Sequence, residues 1–405
     1  MSSEPLQLNL SAWMELPKPL QFEYFDHARR EAEKIKEKLL EQRKKFDILR
    51  KHLKFHPLPD DDQEWLKWKI VAVDGSYSTT ICDRVGLRLG VYQAGYLIFE
   101  GRELKGEKYW SGVFIQDQDY TSLDVTRKIL ELLCTRLERQ IALDALTREN
   151  PDLILIDGSF FGFRVKCEDV KNVRLPDDLK WSTGKDLVNE VRDYTLRLLN
   201  SMKAIGIVKR TRTCALDGWL IYKYGSDKYC IGQNDRAILQ HIMPENTWFA
   251  YKSLFGIPNA HLIFTRIRGR YRLLQKSKKE ITQKDLLSIA CRHVNHDLKR
   301  ELGLSLNALP ITQYYIKARK ELLPLCIETH EKLNVVKYLG YLKSEINPST
   351  GLPFPIDLID SVITLPSGFT KEFLEEIEGI LLKEHNLDPS DVTTYFKSIN
   401  PQKEE

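Results

Sequence analysis

Apolar residues recur along this chain first at helical and then at strand spacing. Within Phe22 to Lys54, which is free of Gly and Pro, they fall at Phe25, Ala28, Ala32, Ile35, Leu39, Phe46, Leu49 and Leu53, with Gln42 interrupting the series. Spacings of three and four predict an amphipathic helix with a narrow, heptad-like seam. The seam serves either packing on its own domain or pairing between two subunits. The stretch from His56 to Asp62 then breaks the helix. From Lys69 onward short apolar runs predict strands: Val71 to Val73, Leu87 to Phe99 as one or two strands, and Lys108 to Ile115. A long helix is expected from Ser122 to Thr147, with Ile129, Leu133, Leu137 and Ile141 at four-residue steps, and Leu153 to Ile156 returns as a buried strand.

Further on, the pattern predicts a helix at Lys185 to Met202, a strand at Ala204 to Lys209 and a helix at Asp235 to Ile242. Strands are expected at Ala260 to Ile267 and Ile311 to Ile316, with a helix at Thr282 to Glu301 between them and a C-terminal helix at Thr370 to His385. Strands, a long helix and another buried strand in that order specify an α/β fold with a mixed sheet. The expected division is an N-terminal helical extension over 1–62, a main domain over 63–365, and a C-terminal helix with a mobile polar tail over 366–405. The region 210–310 either embellishes the sheet or forms a small helical subdomain.

Composition narrows the class. The 405 residues are 42% hydrophobic and 29% charged, as in soluble globular proteins, and no run approaches the roughly 18 apolar residues of a membrane span. A soluble, cytoplasmic protein is expected. The seven cysteines form no C-x-x-C pair, which argues against a zinc ribbon or a disulfide framework. There is no Walker-type phosphate loop, so the chain by itself is not expected to hydrolyse ATP. A net charge of +4 permits a nucleic-acid partner without demanding one.

The chemistry is concentrated in two turns. Val71-Ala-Val-Asp-Gly-Ser76 and Leu153-Ile-Leu-Ile-Asp-Gly-Ser159 are both apolar strands that end in Asp-Gly-Ser. Glycine lets the chain turn away, and serine caps the turn or hydrogen-bonds the acid. If the two strands are neighbours, Asp74 and Asp157 converge, and two carboxylates brought together repel unless a divalent cation bridges them. One such turn is ordinary turn vocabulary; two, each after a fully apolar strand, point to a metal site.

The order of elements resembles the ribonuclease-H-like (PIWI-like) arrangement of metal-dependent nucleases, and in particular the NurA family of DNA-end-processing nucleases. The two Asp-Gly-Ser turns carry the resemblance, together with Gly206-Ile-Val-Lys-Arg210, Asp235-Arg-Ala-Ile-Leu239 and Gly351-Leu-Pro-Phe-Pro-Ile-Asp-Leu-Ile-Asp360, all in family order. The resemblance implies a nuclease domain over 63–365, with catalytic and metal-binding roles for Asp74, Asp157 and a glutamate on the intervening helix. That glutamate is Glu138, which borders the apolar stripe, with Glu131 in reserve. In the last motif the family's Tyr and His are replaced by Leu352 and Asp360. Asp360 keeps a hard oxygen ligand for Mn²⁺ or Mg²⁺, whereas a proton-donating imidazole is lost. The resemblance further implies a homodimer working with a HerA-type hexameric ATPase in double-strand break repair, as a 5′–3′ exonuclease, a single-strand endonuclease or both. A non-catalytic nucleic-acid-binding scaffold on the same fold is the rival reading, and an RNA-directed nuclease is a third.

Basic residues mark where nucleic acid would lie. Arg266 to Lys279 holds seven basic residues and no acid, and Arg266, Arg268, Arg270 and Arg272 would project from one face of a strand as a ladder along a phosphate backbone. Lys209, Arg210 and Arg236 complete the candidate surface, with Lys209 at a strand end and within reach of a phosphate.

Overall fold

The computed structural model describes residues 12–60, 63–117, 121–257, 259–276, 282–385 and 387–399. Among them one sheet of ten strands runs through the molecule: β1 (His56–Pro57), β2 (Lys69–Tyr77), β3 (Cys82–Asp83), β4 (Arg88–Glu100), β5 (Glu103–Gln116), β6 (Leu153–Asp157), β7 (Ala204–Val208), β8 (Thr247–Ala250), β9 (Ile311–Lys317) and β10 (Leu325–His330). The helices up to the middle of the chain are α1 (Lys18–Arg50), α2 (Leu123–Glu149), α3 (Arg164–Val170), α4 (Gly184–Asn200), α5 (Ala215–Tyr224) and α6 (Asp235–Ile242). Those that follow are α7 (Tyr251–Phe255), α8 (Ala260–Lys276), α9 (Gln283–Leu302), α10 (Val336–Ser344), α11 (Phe354–Ile363), α12 (Phe369–Lys383) and α13 (Pro389–Tyr395). None of the described helices is long and apolar enough to cross a membrane.

The strand order is β1-β8-β9-β10-β7-β6-β2-β4-β3, with β5 on the other edge of β4. At the centre β2, β6 and β7 are parallel, and β4 and β10 flank them antiparallel. All-apolar runs belong there, because helices cover both faces of a parallel sheet. Ile70 to Val73 and Leu153 to Ile156 are wholly buried, each Val, Leu and Ile side chain contributing about 1.5–3 kcal/mol relative to exposure. Alternation divides them. Val71, Val73, Ile154 and Ile156 pack with Leu133 and Leu137 of α2 and Val191 of α4. Ile70, Ala72, Leu153 and Leu155 pack with Tyr341 of α10 and with Ile356 and Ile359 of α11. One step further along each strand, Asp74 and Asp157 therefore fall on the α11 face.

Most expected elements are found within a few residues, and Ser122 caps α2 by accepting from the Val125 amide at 3.4 Å. Two differences bear on function. The segment expected as a strand at Ala260 to Ile267 is helical, within α8, because Ile263, Ile267 and Tyr271 lie at four-residue steps and are all buried. The N-terminal seam is also only half used. Phe46, Leu49 and Leu53 are buried against α5 and α6, whereas Phe25, Ile35 and Leu39 are exposed. Gln42, the break in the series, is buried and donates to the Ile231 carbonyl at 3.1 Å.

Candidate metal centre

Register makes the site. Val73 of β2 pairs with Ile156 of β6, so Asp74 and Asp157 stand side by side where the parallel strands end, and Asp157 is in turn level with Ile207 of β7. Such a strand-end position is where open α/β sheets place their chemistry. Asp74 accepts from the Gly75 amide at 2.7 Å. A Cβ on Gly75 would come within 2.9 Å of the Cys134 sulfur, so only glycine lets α2 approach the strand this closely. Gly158 turns the second strand at φ +98°, in the region that glycine enters without strain.

Asp360 arrives from the other end of the chain. Pro353 and Pro355 start α11, the helix crosses over β2, and its second turn brings Asp360 to the two strand-end acids. One carboxylate oxygen from each of Asp74, Asp157 and Asp360 lies within 4.8 Å of the others. The Lys209 ammonium, just past β7, lies 2.6 Å from Asp157 and 3.1 Å from Asp360.

Burial and crowding set the electrostatics. Burial, then the neighbouring Asp157 and Glu138, push the Asp74 carboxyl up to about 9. Burial also raises Asp157, against the pull of Lys209. Burial alone would lower Lys209, but the carboxylates of Asp157 and Asp360 outweigh it and the ammonium is held above its ordinary value. Three carboxylates crowded together, two of them raised by burial, are hard oxygen donors that fit a divalent cation of the Mg²⁺ or Mn²⁺ type.

Glu138 lies behind this cluster on the α2 face. A Cβ on Gly75 would meet its carboxylate at 3.5 Å, and its immediate partner is the Arg139 guanidinium. Burial lifts Glu138 to about 7, with Arg139 opposing and Asp157 adding to the rise. Glu131 is not brought to the cluster: it accepts from the Tyr77 hydroxyl at 2.6 Å and pairs with Lys166.

The expected basic ladder is corrected. In a helix Arg266 and Arg268 diverge; Arg266 pairs with Asp297, and Arg268 lies 3.4 Å from the buried Asp217. Arg270 is exposed, and the Arg272 side chain lies outside the described residues. Arg236 donates to the backbone carbonyls of Pro324, at 2.8 Å, and of Lys209, so its guanidinium braces the end of β7. Its neighbour Asp235 caps α5 through the amides of Ala215 and Leu216. Arg210 is exposed beside the site. Leu352 is half-buried and packs against the apolar cluster beneath α11.

Sequence reasoning missed Glu328, buried in β10. It accepts from the Ser159 hydroxyl at 2.8 Å, the Phe160 amide at 2.9 Å and Gln313 at 2.7 Å, and so holds the turn that carries Asp157. Arg139 joins the network by donating to the Ser159 carbonyl at 3.3 Å. A lone acid inside the apolar run Leu325-Cys-Ile-Glu-Thr-His330 is the signal that could have found it.

Fold and acid cluster define the class: a ribonuclease-H-like α/β protein that gathers carboxylates for a divalent cation at its parallel strand ends. Within it, the NurA domain family matches residues 69–365, most of the chain, and the chain belongs to that family. Among solved structures, it is similar to the NurA nuclease from Sulfolobus solfataricus, at 14% identity and a TM-score of 0.54, covering 90% of this chain and 98% of that one. A second NurA matches at 13% identity and a TM-score of 0.45, covering 89% and 99%. A NurA bound to dAMP and manganese matches at 14% and 0.39, covering 95% and 100%. No curated protein matches.

Proposed function

We propose that this chain is a divalent-metal-dependent deoxyribonuclease that processes DNA ends. The observation that carries the reading is the convergence of Asp74, Asp157 and Asp360 within 4.8 Å at the strand ends. These three would hold Mn²⁺ or Mg²⁺, which when bound activates water and neutralises charge on the phosphodiester. Glu138, just behind the acids and raised by burial, is our candidate for proton transfer beside them. Lys209, in contact with Asp157 and Asp360, is free to turn to a phosphate once a cation satisfies those carboxylates. The exposed Arg210 extends the positive surface beside it.

The wider role we infer is end resection in double-strand break repair, in the cytoplasm, as a homodimer driven by a HerA-type hexameric ATPase. The exposed apolar positions of α1 support the dimer, since an exposed apolar seam on a helix suits pairing with a second copy. The nuclease unit is taken as 63–365, between the helical extension and the C-terminal helices.

The test is cleavage of end-labelled linear DNA with Mn²⁺, Mg²⁺ or chelator, alongside Asp74→Ala and Asp157→Ala chains shown to stay folded. Metal-dependent cleavage lost in both variants is the expected result. Intact DNA binding without cleavage under any metal, with or without a HerA-type partner, would instead make the chain a scaffold.

A further inference from the structure

Past the acids, on the same side of the sheet, lies a cleft of about 660 Å³. Its floor is the strand end after Asp74, including Ser76 and Ser78, and one wall is the segment from Thr364 into the start of α12. Ser76 is two residues beyond Asp74, and Thr364 is one helical turn beyond Asp360, so floor and wall both begin about 6–7 Å from the metal acids. The wall is braced. Ser76 accepts from the Leu365 amide at 3.0 Å, Gln93 donates to the Ile363 carbonyl at 2.7 Å, and the hydroxyls of Ser78 and Thr370 are 2.8 Å apart.

The lining is mixed in a way that suits a nucleotide. Ile81 and Leu365 offer apolar surface, Thr80 and Ser367 offer hydroxyls, Lys371 offers an ammonium, and the one carboxylate of the lining, Asp83, is paired with Arg88. The volume is within the roughly 300–1,000 Å³ of small-molecule sites, enough for a nucleotide and its neighbour and too small for a duplex. Everything in the lining from Pro366 onward lies outside the family-matched region, so the cleft owes much of its shape to this chain's own C-terminal segment.

We infer that this cleft is the subsite for the terminal nucleotides of the single DNA strand whose phosphodiester is presented to Asp74, Asp157 and Asp360. The base packs on the apolar wall, while the sugar and phosphate meet the hydroxyls and Lys371. Sequence-tolerant binding follows, because apolar packing and hydroxyl contacts accept every base. A duplex end must fray before it enters. This inference rests on the nuclease reading above.

Ser367 and Lys371 are both exposed, which makes them suitable probes. Ser367→Trp fills the cleft, Lys371→Glu inverts its charge, and Lys371→Arg restores it. The measurement is kcat and KM for Mn²⁺-dependent cleavage of a single-stranded oligonucleotide labelled at its 5′ or its 3′ end. Loss of ground-state binding raises KM and spares kcat. The expected result is a KM at least tenfold higher in Ser367→Trp and Lys371→Glu, a kcat within twofold, and Lys371→Arg close to the parent. Should Ser367→Trp fail to fold, the Lys371 pair decides alone. Unchanged KM and product lengths in Lys371→Glu, with the parent chain active, would overturn the subsite and leave the nuclease reading standing. A parent chain that cleaves nothing would bring down both.

Discussion

Lys209 is the cation that the acid cluster carries in its own sequence, 2.6 Å from Asp157 and 3.1 Å from Asp360. Lys209→Met would leave three carboxylates facing one another. We expect the metal-free protein to lose about 1–3 kcal/mol, less than the roughly 3–5 of a fully buried broken pair because Asp360 is half exposed. Mn²⁺ should recover that loss, so the metal-induced rise in Tm should exceed the parent's. Thermal melts in chelator and in Mn²⁺ check this, and equal rises in both proteins would refute it. His261 is a different residue-scale case. It is buried beside Tyr251, and burial first, then Arg164, lowers it to about 3. It is neutral when folded and takes up a proton near 6.5 when unfolded. Its stability contribution is whole above about 6.5 and is lost as pH falls toward 3, by up to about 1.4 kcal/mol per pH unit. Urea melts at pH 7.5 and pH 5 should show a shallower loss in His261→Phe than in the parent.

At the scale of elements, β10 matters most. It looks like an ordinary buried strand, yet its Glu328 satisfies three donors, two of them on the turn after Asp157. Glu328→Ala would orphan those donors, at about 2–4 kcal/mol in total. Cleavage should fall in Glu328→Ala beyond what the melting loss explains and partly return in Glu328→Gln, which keeps an acceptor. Activity tracking stability alone in both would make Glu328 a fold residue and nothing more. Helix α8 carries the complementary lesson. Its arginines alternate as a strand ladder would, but Ile263, Ile267 and Tyr271 follow helical spacing, and burial of that stripe prevails. Arg266 and Arg268 then find Asp297 and Asp217 as partners.

For the whole molecule, α1 raises the question of assembly. Its C-terminal third is anchored by Phe46, Leu49 and the Lys45 hydrogen bond to the Cys230 carbonyl at 2.8 Å, while Ile35 and Leu39 are more than half exposed. If a second copy covers those positions, Ile35→Glu with Leu39→Glu should turn a dimer into a monomer in light scattering. The melting of the monomer should hardly change, because exposed substitutions typically cost within about 0.5 kcal/mol. A dimer that survives the double substitution would place the interface elsewhere.

What can be read from the sequence is local: where the strands end, that each of two of them ends in Asp-Gly-Ser, and that a run as apolar as Leu153 to Ile156 is a buried strand. Alternation and turn chemistry act over a few residues, so they can be read from a few residues. Even Asp360 entered the sequence reading through resemblance, not through any pattern around it. It takes the folded chain to show that β2, β6 and β7 lie side by side, that α11 crosses them to deliver Asp360, and that Lys209, Arg236 and Glu328 brace the same corner. Those residues are separated by tens to hundreds of positions. Their meeting depends on strand order and register, which are settled by packing the whole core at once.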